Sequence, residues 1–289
     1  MKLCPQCTHE IGVASWNCSL CNWSPPMGNG FPTLAPELAQ ESPGFSKDYF
    51  AELASLEQGH FWFESRNKLI LGALKQDSPN MKTFLEIGCG TGFVLSAIHA
   101  AFPTTRVWGS EVFTEGLHFA SNRIPSAKLF QMDARQIPFR DEFDTIGAFD
   151  VIEHIEEDGL VLHQIKAALR PGGTVVITVP QHRFLWTAID DFSYHKRRYT
   201  RKELLEKLQA AGFEVLSVTS FVSLLFPLLL VSRLRMRKPS TDFDPRAELR
   251  ISTTINQVLS GIMALERALL RLVSLPFGGS LLVAARRPY

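Results

Sequence analysis

The chain has 289 residues, of which 45% are hydrophobic, and this length suits one α/β domain of ordinary size with a small appendage. A formal net charge of +1 excludes a surface that is basic throughout, of the kind that grips polyanions, but not a local basic patch. No apolar secretory segment follows Met1, and four of the five cysteines fall in close pairs. These features predict a cytoplasmic protein.

The first 23 residues contain two C-x-x-C pairs, separated by ten residues. Each pair can present two thiolates from one tight turn, and two such turns complete a tetrahedral site for a structural zinc ion. A redox-active C-x-x-C pair is the alternative. The repeated spacing favours a zinc ribbon whose ligands are Cys4, Cys7, Cys18 and Cys21.

Residues 24–44 contain five prolines and three glycines, a composition typical of an extended, partly stiff linker. The following pattern predicts a helix over 46–57, and an aromatic segment at 60–67 reads His-Phe-Trp-Phe-Glu-Ser-Arg-Asn. Such aromatic side chains suit a hydrophobic core, or a cap over a ligand pocket. We therefore expect a ribbon at 1–23, the linker, and one domain over 45–289.

The stretch 84–92 reads Phe-Leu-Glu-Ile-Gly-Cys-Gly-Thr-Gly and predicts a buried strand and a glycine turn, with a helix following over 93–102. Alternate glycines permit positive φ and let a ligand lie against bare backbone, while the helix N-terminus offers unpaired N–H groups. The spacing differs from the dinucleotide pattern, and a glutamate beside the loop suits a cationic ligand better than a pyrophosphate. A glycine-rich turn without a ligand is the alternative. The candidate binding residues here are Glu86, Gly88, Cys89, Gly90 and Gly92.

Beyond this loop, predicted strands alternate with predicted helices. This order is typical of a mostly parallel sheet with right-handed crossovers, in which ligands bind at the carboxyl ends of the strands. The later strands are predicted at 106–110, 127–132, 143–149, 174–179, 213–221 and 278–285. With the strand before the glycine loop they make seven, so we expect a Rossmann-like α/β fold with helices on both faces.

Acidic residues follow several of these strands. Glu111 lies nineteen residues beyond Gly92, close to the spacing at which a carboxylate accepts both ribose hydroxyls of a bound nucleotide. A solvent-facing glutamate at a strand end is the alternative. Asp133 follows the third strand and Asp150 follows the fourth, so both should reach the same edge of the sheet as Glu111.

The glycine loop, the acidic strand ends, the segment Asp150–His154 and the segment Leu169–Gly173 together resemble class I S-adenosylmethionine-dependent methyltransferases. The similarity is greatest to the type 11/12 and ubiquinone-pathway branch, and it covers roughly residues 60 to 220. It implies that S-adenosylmethionine is the cofactor, with Glu86 near its methionine end and Asp133 and Ala134 at its adenine amino group. It also implies that the methyl group meets its acceptor at the segment that begins with Asp150. The resemblance does not name the acceptor.

In the family that the chain resembles, the loop after the fifth strand lies over the acceptor side. Residues 195–202 read His-Lys-Arg-Arg-Tyr-Thr-Arg-Lys, and these cations can grip the phosphate of a lipid, a nucleotide sugar or RNA. A basic helix start that is merely solvated is the alternative. The candidate acceptor-side residues are Arg197, Arg198 and Tyr199. His154 and His195 are the candidate bases for a hydroxyl acceptor, although each can equally be structural.

Residues 222–276 form a mostly helical insertion before the last strand, the expected determinant of acceptor choice. The apolar segment 221–231 is too short to cross a membrane, and the cations that follow it suit a segment lying in an anionic membrane surface. These cations are Arg233, Arg235, Arg237 and Lys238. A helix that lines an apolar acceptor pocket is the alternative. Residues 250–273 predict an amphipathic helix.

Three functions fit these observations. The first is methyl transfer to a small-molecule or lipid-linked acceptor, with the protein lying peripherally on the inner face of the membrane. The second is RNA methylation with the help of the zinc ribbon and the basic loop, and the near-neutral net charge weighs against it. The third is a scaffold that binds the cofactor without catalysis.

Overall fold

The computed structural model of the protein describes residues 1–12, 15–39, 47–235 and 250–289. The end of the predicted linker lies outside these residues, as do the predicted membrane-facing cations Arg237 and Lys238 and the side chain of Arg235.

Two small hairpins open the chain, and each has two strands of two residues. The strands are β1 (Lys2–Leu3), β2 (Glu10–Ile11), β3 (Met27–Gly28) and β4 (Phe31–Pro32). A seven-stranded sheet follows, formed by β5 (Thr83–Ile87), β6 (Arg106–Glu111), β7 (Lys128–Gln131), β8 (Phe143–Phe149), β9 (Leu169–Pro180), β10 (Glu214–Phe221) and β11 (Ser280–Arg286).

Nine described helices accompany these strands. They are α1 (Lys47–Glu57), α2 (Phe61–Asp77), α3 (Phe93–Ala101), α4 (Thr114–Arg123), α5 (Asp158–Ala168), α6 (Ala188–Phe192), α7 (Arg201–Ala210), α8 (Phe226–Arg235) and α9 (Thr253–Leu270). None of the described helices is both long enough and apolar enough to cross a bilayer.

The strand order of the large sheet is β10-β11-β9-β8-β5-β6-β7. The five neighbouring strands β9, β8, β5, β6 and β7 pair in parallel, and β11 is antiparallel to both β9 and β10. Side chains alternate between two hydrophobic clusters, one on each face: Leu85 packs into one and Phe84 into the other. This architecture confirms the predicted Rossmann-like fold with a mostly parallel seven-stranded sheet.

The segment Leu169–Gly173 falls inside β9. Gly172 has a φ of 76°, and the register of β9 with β8 shifts between Phe143 and Thr145. The turn at Gly172 is therefore present, but it is an irregularity within the long strand β9. The strand begins at Leu169, directly after α5, and not at Thr174.

Part of the predicted linker lies against the edge strand β7. The side chain of Gln131 is fully buried; its Oε1 accepts a hydrogen bond from the Ala35 N–H at 2.9 Å, and its Nε2 donates to the Ala35 carbonyl at 2.7 Å. Asn29 also donates to Thr114 Oγ1 at 2.8 Å. The segment that carries β3 and β4 thus has specific contacts with the domain, which the prediction of an extended linker did not contain.

The insertion between β10 and β11 consists, where described, of α8 and α9. Glu266 of α9 is buried, and its carboxylate accepts hydrogen bonds from the backbone N–H groups of residues 222–224 at 2.6–2.7 Å. This contact fixes the start of α8 against α9. Within the apolar segment 221–231, Phe221, Val222 and Leu225 are buried, whereas Leu224, Leu228 and Val231 are exposed.

Candidate functional site

A cavity of about 1220 Å³ opens at the carboxyl ends of β5, β6 and β8. The predicted site residues that line it are Glu86, Gly88, Cys89, Gly90, Glu111, Asp133, Ala134, Asp150, His154, His195 and Arg198. Gly92, Arg197 and Tyr199 are not among the lining residues. The acidic strand ends therefore converge, as parallel strands require.

The glycine loop adopts positive φ at all three glycines, and each glycine meets different surroundings. A Cβ on Gly88 would lie 2.6 Å from a methyl group of Val151, and one on Gly92 would lie 2.7 Å from the Cα of Ala120. A Cβ on Gly90 would meet nothing within 4 Å. Gly88 and Gly92 thus permit close packing of the loop, whereas Gly90 presents bare backbone to open space in the cavity.

Glu86 projects from β5 into the site and is almost completely buried. Its Oε2 atom has no hydrogen-bond partner. Burial raises the pKa of Glu86 well above its usual value, and the nearby Arg66 opposes that rise. A buried carboxylate with an unsatisfied oxygen is costly unless a ligand pairs with it, so this position suits a cationic or donating group.

Arg66 of α2 supplies positive charge to the floor of the cavity. Its guanidinium lies 2.7 Å from the carboxylate of Asp150 and donates to the Phe149 carbonyl at 2.8 Å. Asp150 has a φ of 57°, a strained conformation for a residue other than glycine, and it accepts a hydrogen bond from Thr178 Oγ1 at 3.2 Å. Arg66, which lies in the segment 60–67, was not among the predicted site residues.

Glu111 reaches from the end of β6 to the glycine loop. Its carboxylate accepts hydrogen bonds from the N–H groups of Gly90 at 2.9 Å and Val112 at 2.8 Å. Burial raises the pKa of Glu111, and these N–H groups counteract the effect. Because a carboxylate has about four acceptor positions, it can still accept hydroxyl groups from a ligand.

A second buried acid, Glu57, ties the end of α1 to the same loop. Thr91 Oγ1 donates to its carboxylate at 2.6 Å, and Arg123 lies 2.8 Å from it. Burial raises the pKa of Glu57, and the hydrogen bond from Thr91 opposes this rise. The helix pattern predicted α1 but gave no signal that its last residue would hold the glycine loop.

Asp133 and Ala134 lie beyond β7 at the far side of the cavity. The Asp133 carboxylate accepts hydrogen bonds from the backbone N–H of Arg135 at 2.8 Å and from its Nε at 3.0 Å. Ala134 is buried at 8% exposure. Asp133 therefore lines the cavity with both of its carboxylate oxygens bound to Arg135, which balances its charge.

The two predicted histidines face each other across the site, with ring centroids 4.7 Å apart. Burial and the neighbouring His195 lower the pKa of His154 to about 4, so its imidazole is neutral at neutral pH. The Nδ1 atom of His195 lies 2.8 Å from Asp190 Oδ1, which leaves Nε2 as the nitrogen available to a ligand.

Asp190 orients both His195 and the predicted acceptor-side Arg198. Arg198 is buried at 6% exposure, and its Nε donates to Asp190 at 2.7 Å. Burial alone would raise the pKa of Asp190, but the hydrogen bond from His195 and the charge of Arg198 outweigh it and lower the pKa to about 2. Asp190 was not predicted as a site residue.

Arg197 and Tyr199 face away from the large cavity. Arg197 lies 2.8 Å from Asp158, and the Tyr199 hydroxyl donates to the same carboxylate at 2.7 Å from a ring that is 1% exposed. The basic loop 195–202 is thus largely committed to internal ion pairs: Lys202 also lies 3.7 Å from Glu206. These pairs reduce the positive charge that the loop can offer to a phosphate.

Glu153 is a further buried acid of the site that was not predicted. It is fully buried, neither carboxylate oxygen has a hydrogen-bond partner, and burial raises its pKa well above the usual value. Its ligand atom and those of His154 and His195 lie within 4.8 Å of one another. Such a set can share a proton or hold a cation.

Apolar side chains form the remaining walls of the cavity. Aromatic rings come from the first helices and the loops after β5 and β6: Phe50, Phe61, Trp62, Phe63, Phe93 and Phe113. Aliphatic side chains come from the insertion: Leu225, Leu228, Leu229, Ile251, Ile255 and Leu259. The aromatic segment 60–67 therefore does border the pocket. The insertion also lines the pocket, which agrees with one of the two alternatives predicted for it.

The four paired cysteines converge at the N-terminal hairpin. The sulfur of Cys4 lies 3.6 Å from that of Cys21, and Cys7 lies 3.6 Å from Cys18. The two turns are alike, because Thr8 and Asn22 have φ values of 59° and 57° and each donates its N–H to the first cysteine of its pair. Four sulfurs in this arrangement fit one tetrahedral zinc ion.

A family model described as a methyltransferase domain matches residues 56–218. A malonyl-[acyl-carrier protein] O-methyltransferase of Methylococcus capsulatus is 27% identical over 154 residues, covering 50% of this chain and 56% of that protein. A probable S-adenosylmethionine-dependent methyltransferase of Mycolicibacterium smegmatis is 27% identical over 167 residues, covering 56% of this chain and 63% of that protein. The chain thus spans less than two thirds of the length of these curated relatives.

Solved structures share the fold. Phosphoethanolamine N-methyltransferase 2 of Haemonchus contortus, in complex with S-adenosyl-L-methionine, has a TM-score of 0.58 at 19% identity, covering 84% of this chain and 58% of that chain. The [4+2]-cyclase SpnF has a TM-score of 0.52 at 20% identity, covering 78% of this chain and 83% of that chain. At such identities the likeness shows the fold alone, and the fold hosts more than one chemistry.

Proposed function

Because the chain belongs to the class I S-adenosylmethionine-dependent methyltransferases, we propose that it methylates a small-molecule or lipid-linked acceptor inside the large cavity. One observation carries the choice of acceptor. The cavity holds about 1220 Å³, more than the roughly 300–1,000 Å³ of a typical ligand site, and the wall formed by α8 and α9 is mostly aliphatic, with Ser232 and Arg233 as its polar members. That volume accommodates a cofactor and an apolar acceptor together.

The carboxylate-rich floor suits the cofactor's positive charge. When bound, S-adenosylmethionine supplies a methyl group already activated on a sulfonium, next to an ammonium group. Glu86 holds an unsatisfied buried oxygen on this floor, and Gly90 leaves its backbone open to the cavity. We assign Glu86, Gly88, Cys89 and Gly90 to the methionine end, with Asp150 beside them, and Gly92 to the packing of the loop.

The far end of the cavity suits the nucleoside. Glu111 accepts the ribose hydroxyls in this proposal, since its carboxylate is already fixed by the Gly90 N–H at 2.9 Å. Asp133 and Ala134 border the adenine amino group, where Asp133 offers an acceptor oxygen. These groups bind and orient, which is the main requirement for in-line transfer from an activated sulfonium.

His195 is the proposed base for a hydroxyl acceptor. On methylation of a hydroxyl acceptor by the bound cofactor, His195 Nε2 would accept the proton that the hydroxyl loses. Asp190 at 2.8 Å from Nδ1 orients the ring and stabilises the imidazolium that forms. His154, whose pKa is lowered to about 4, stays neutral and packs against His195.

The alternatives receive less support. An RNA methyltransferase would need free cations beside the site, and Arg197 and Arg198 are bound to Asp158 and Asp190. A non-catalytic scaffold would have no use for a histidine that a buried carboxylate orients. In the same proposal, Cys4, Cys7, Cys18 and Cys21 hold a structural zinc ion.

The test uses purified protein, methyl-labelled S-adenosylmethionine and a bacterial extract divided into lipid, RNA and small-molecule fractions. We expect label in the lipid or small-molecule fraction. Label in RNA alone would overturn the acceptor assignment, and cofactor binding without label in any fraction would favour the scaffold.

Cofactor-site variants accompany this assay. Glu111→Ala should weaken cofactor binding by about 10- to 100-fold, because charge-assisted hydrogen bonds contribute about 1.5–3 kcal/mol. Glu206→Ala removes a carboxylate that is 61% exposed, far from the cavity lining, and serves as the matched control. Calorimetric titration measures both, and equal affinities would refute the assignment of Glu111.

A further inference from the structure

The apolar side of α9 extends beyond the part that the fold buries. Leu259, Met263 and Glu266 face the core, and a second row of apolar side chains lies next to them on the surface. This α9 stripe consists of Ile255, Val258, Ile262, Leu265 and Leu269, at the spacing of one helix face, together with Leu272 in the turn directly after the helix. Five of the six are exposed, from 36% at Leu269 to 82% at Leu272.

Helix α8 presents a similar row on its outer side. Leu228, Val231 and Leu234 are exposed at 57%, 45% and 50%, and Leu224 before the helix is exposed at 40%. Their spacing places them on one face of the helix. Two neighbouring helices that each expose an apolar row form a patch larger than scattered surface leucines explain.

Each of the two rows reaches the methyl-transfer cavity. Leu228 and Ile255 are both exposed and both line the cavity. Leu225 and Leu259 continue the apolar lining inward, where they are buried. An apolar path therefore leads from the outer surface of the two helices to the site.

Over 224–235 and 250–273 the basic residues are Arg233, Arg235, Arg250, Arg267 and Arg271, and the only acidic residue is Glu266. Arg250 and Arg271 are exposed, and Arg250 lies 2.9 Å from Glu52. Arg233 instead lines the cavity and donates to Thr187 Oγ1 at 3.1 Å. Glu266 is fully buried and bound to backbone N–H groups, so it adds no negative charge to the surface. An apolar face with cationic flanks is complementary to an anionic bilayer.

We propose that the outer faces of α8 and α9 dock on an anionic membrane surface and that a lipid-linked acceptor enters the cavity from the bilayer between them. This inference rests on the proposed methyl transfer and names the source of its acceptor. A second copy of the chain seated on the same patch would close the cavity mouth and set like charges against each other, since a two-fold interface pairs a surface with itself.

The test is co-sedimentation of the whole protein with vesicles of phosphatidylcholine alone or of equal parts phosphatidylcholine and phosphatidylglycerol. The stripe variant is Val258→Glu with Leu265→Glu, two positions that are 59% exposed and outside the cavity lining. The matched control is Gln257→Glu with Ala264→Glu, which adds the same charge at the same spacing on another exposed side of α9.

We expect the wild-type protein to sediment with the anionic vesicles, and the stripe variant to lose about tenfold or more of that partitioning while the control retains most of it. Equal losses of vesicle partitioning in both variants would show that net charge, and not the α9 stripe, determines binding, and would overturn the proposal. Wild-type protein that stays in solution, or a dimer that only the stripe variant dissociates, would also overturn it. Cofactor titration of each variant separates this failure from failure of the proposed function, which would appear as absent cofactor binding in the wild type.

Discussion

Arg66 holds its guanidinium 2.7 Å from the carboxylate of Asp150, and so joins helix α2 to the end of strand β8 beneath the cofactor cavity. The same guanidinium counteracts the raised pKa of two fully buried acids, Glu86 and Glu153. One cation thus offsets the charge of three acids on the cavity floor. Its loss would leave buried carboxylates without a counter-charge, which costs more than the pair contributes.

Arg66→Met should therefore lower the free energy of unfolding by about 3 kcal/mol near neutral pH, the low end of the range for buried pairs because Asp150 remains 29% exposed. Urea unfolding followed by circular dichroism measures it. Lys68→Met on the same helix removes a cation that is 57% exposed, and should change stability by less than about 0.5 kcal/mol. Similar losses in both variants would contradict the role of Arg66.

The glycine loop permits a separation of cofactor binding from stability. Gly90→Ala adds a methyl group that meets no protein atom, so the cost is the positive φ alone, about 1 kcal/mol. The same methyl group projects into the cavity and should weaken cofactor binding about tenfold or more by occupying the ligand's place.

Gly92→Ala should lower stability more than it lowers cofactor affinity. Its Cβ would lie 2.7 Å from the Cα of Ala120, a backbone atom that cannot move aside, so stability should fall by about 3 kcal/mol or more. Thermal unfolding and cofactor titration of both variants give the comparison. Wild-type affinity in Gly90→Ala would show that no ligand lies against this residue.

The strands and the glycine loop were predictable because their signals are local. An apolar run followed by glycines at alternate positions specifies a strand and a turn whatever the rest of the chain does. Arg66, Glu57 and Asp190 carried no such signal, since their roles depend on partners that folding brings from elsewhere: Arg66 lies 84 residues before Asp150 in the sequence. Only tertiary packing decides which buried acid meets which base.

The amphipathic helix illustrates the same limit in another way. Periodicity predicted an amphipathic helix over 250–273, yet five of the six residues in the α9 stripe are exposed. A periodic pattern identifies which side of a helix is apolar but not whether protein covers that side. Coverage depends on the width of the neighbouring helices and loops, and here α2 and the sheet cover only part of the apolar side.

The lowered pKa of His154 predicts a specific pH dependence. Burial favours the neutral imidazole in the folded state, with a pKa of about 4 against an ordinary value near 6.5. As pH falls from 6.5 to 4, the unfolded chain gains a proton that the folded protein does not accept, so stability is lost over this window. Above pH 6.5 both states are neutral, and His154 contributes no pH dependence.

His154→Gln removes this titration and should reduce the loss of stability between about pH 7.5 and pH 4.5 by about 2 kcal/mol. Glu153 and Glu86 titrate in the opposite sense, because their pKa values are raised, so the quantity to compare is the difference between variant and wild type at each pH. Urea unfolding at the two pH values gives this difference. A difference that does not change with pH would show that His154 ionises normally in the folded protein.

The cluster of Cys4, Cys7, Cys18 and Cys21 is joined to the methyltransferase domain through Trp16. The Trp16 indole packs against Phe130 and Phe139 of the domain core, with ring centroids 5.5 and 5.8 Å apart, and it lies between the two cysteine pairs in sequence. In the proposed zinc complex, one metal ion would fix both turns and thereby the loop that carries Trp16. The cysteine-rich segment thus contacts the domain beside the edge strand β7.

Cys18→Ser should therefore abolish zinc binding and release Trp16 from its contacts, since three thiolates no longer close a tetrahedral structural site. We expect one zinc ion per chain in the wild type by elemental analysis, almost none in the variant, and a red-shifted tryptophan emission. Cys89→Ser changes the one cysteine outside the ribbon and should retain the metal. Zinc retained by Cys18→Ser, or emission that does not change when a chelator removes the metal from the wild type, would separate the ribbon from the domain contact. Trp16 is not among the residues that line the cavity, so Cys18→Ser should bind S-adenosylmethionine with an affinity within about threefold of the wild type.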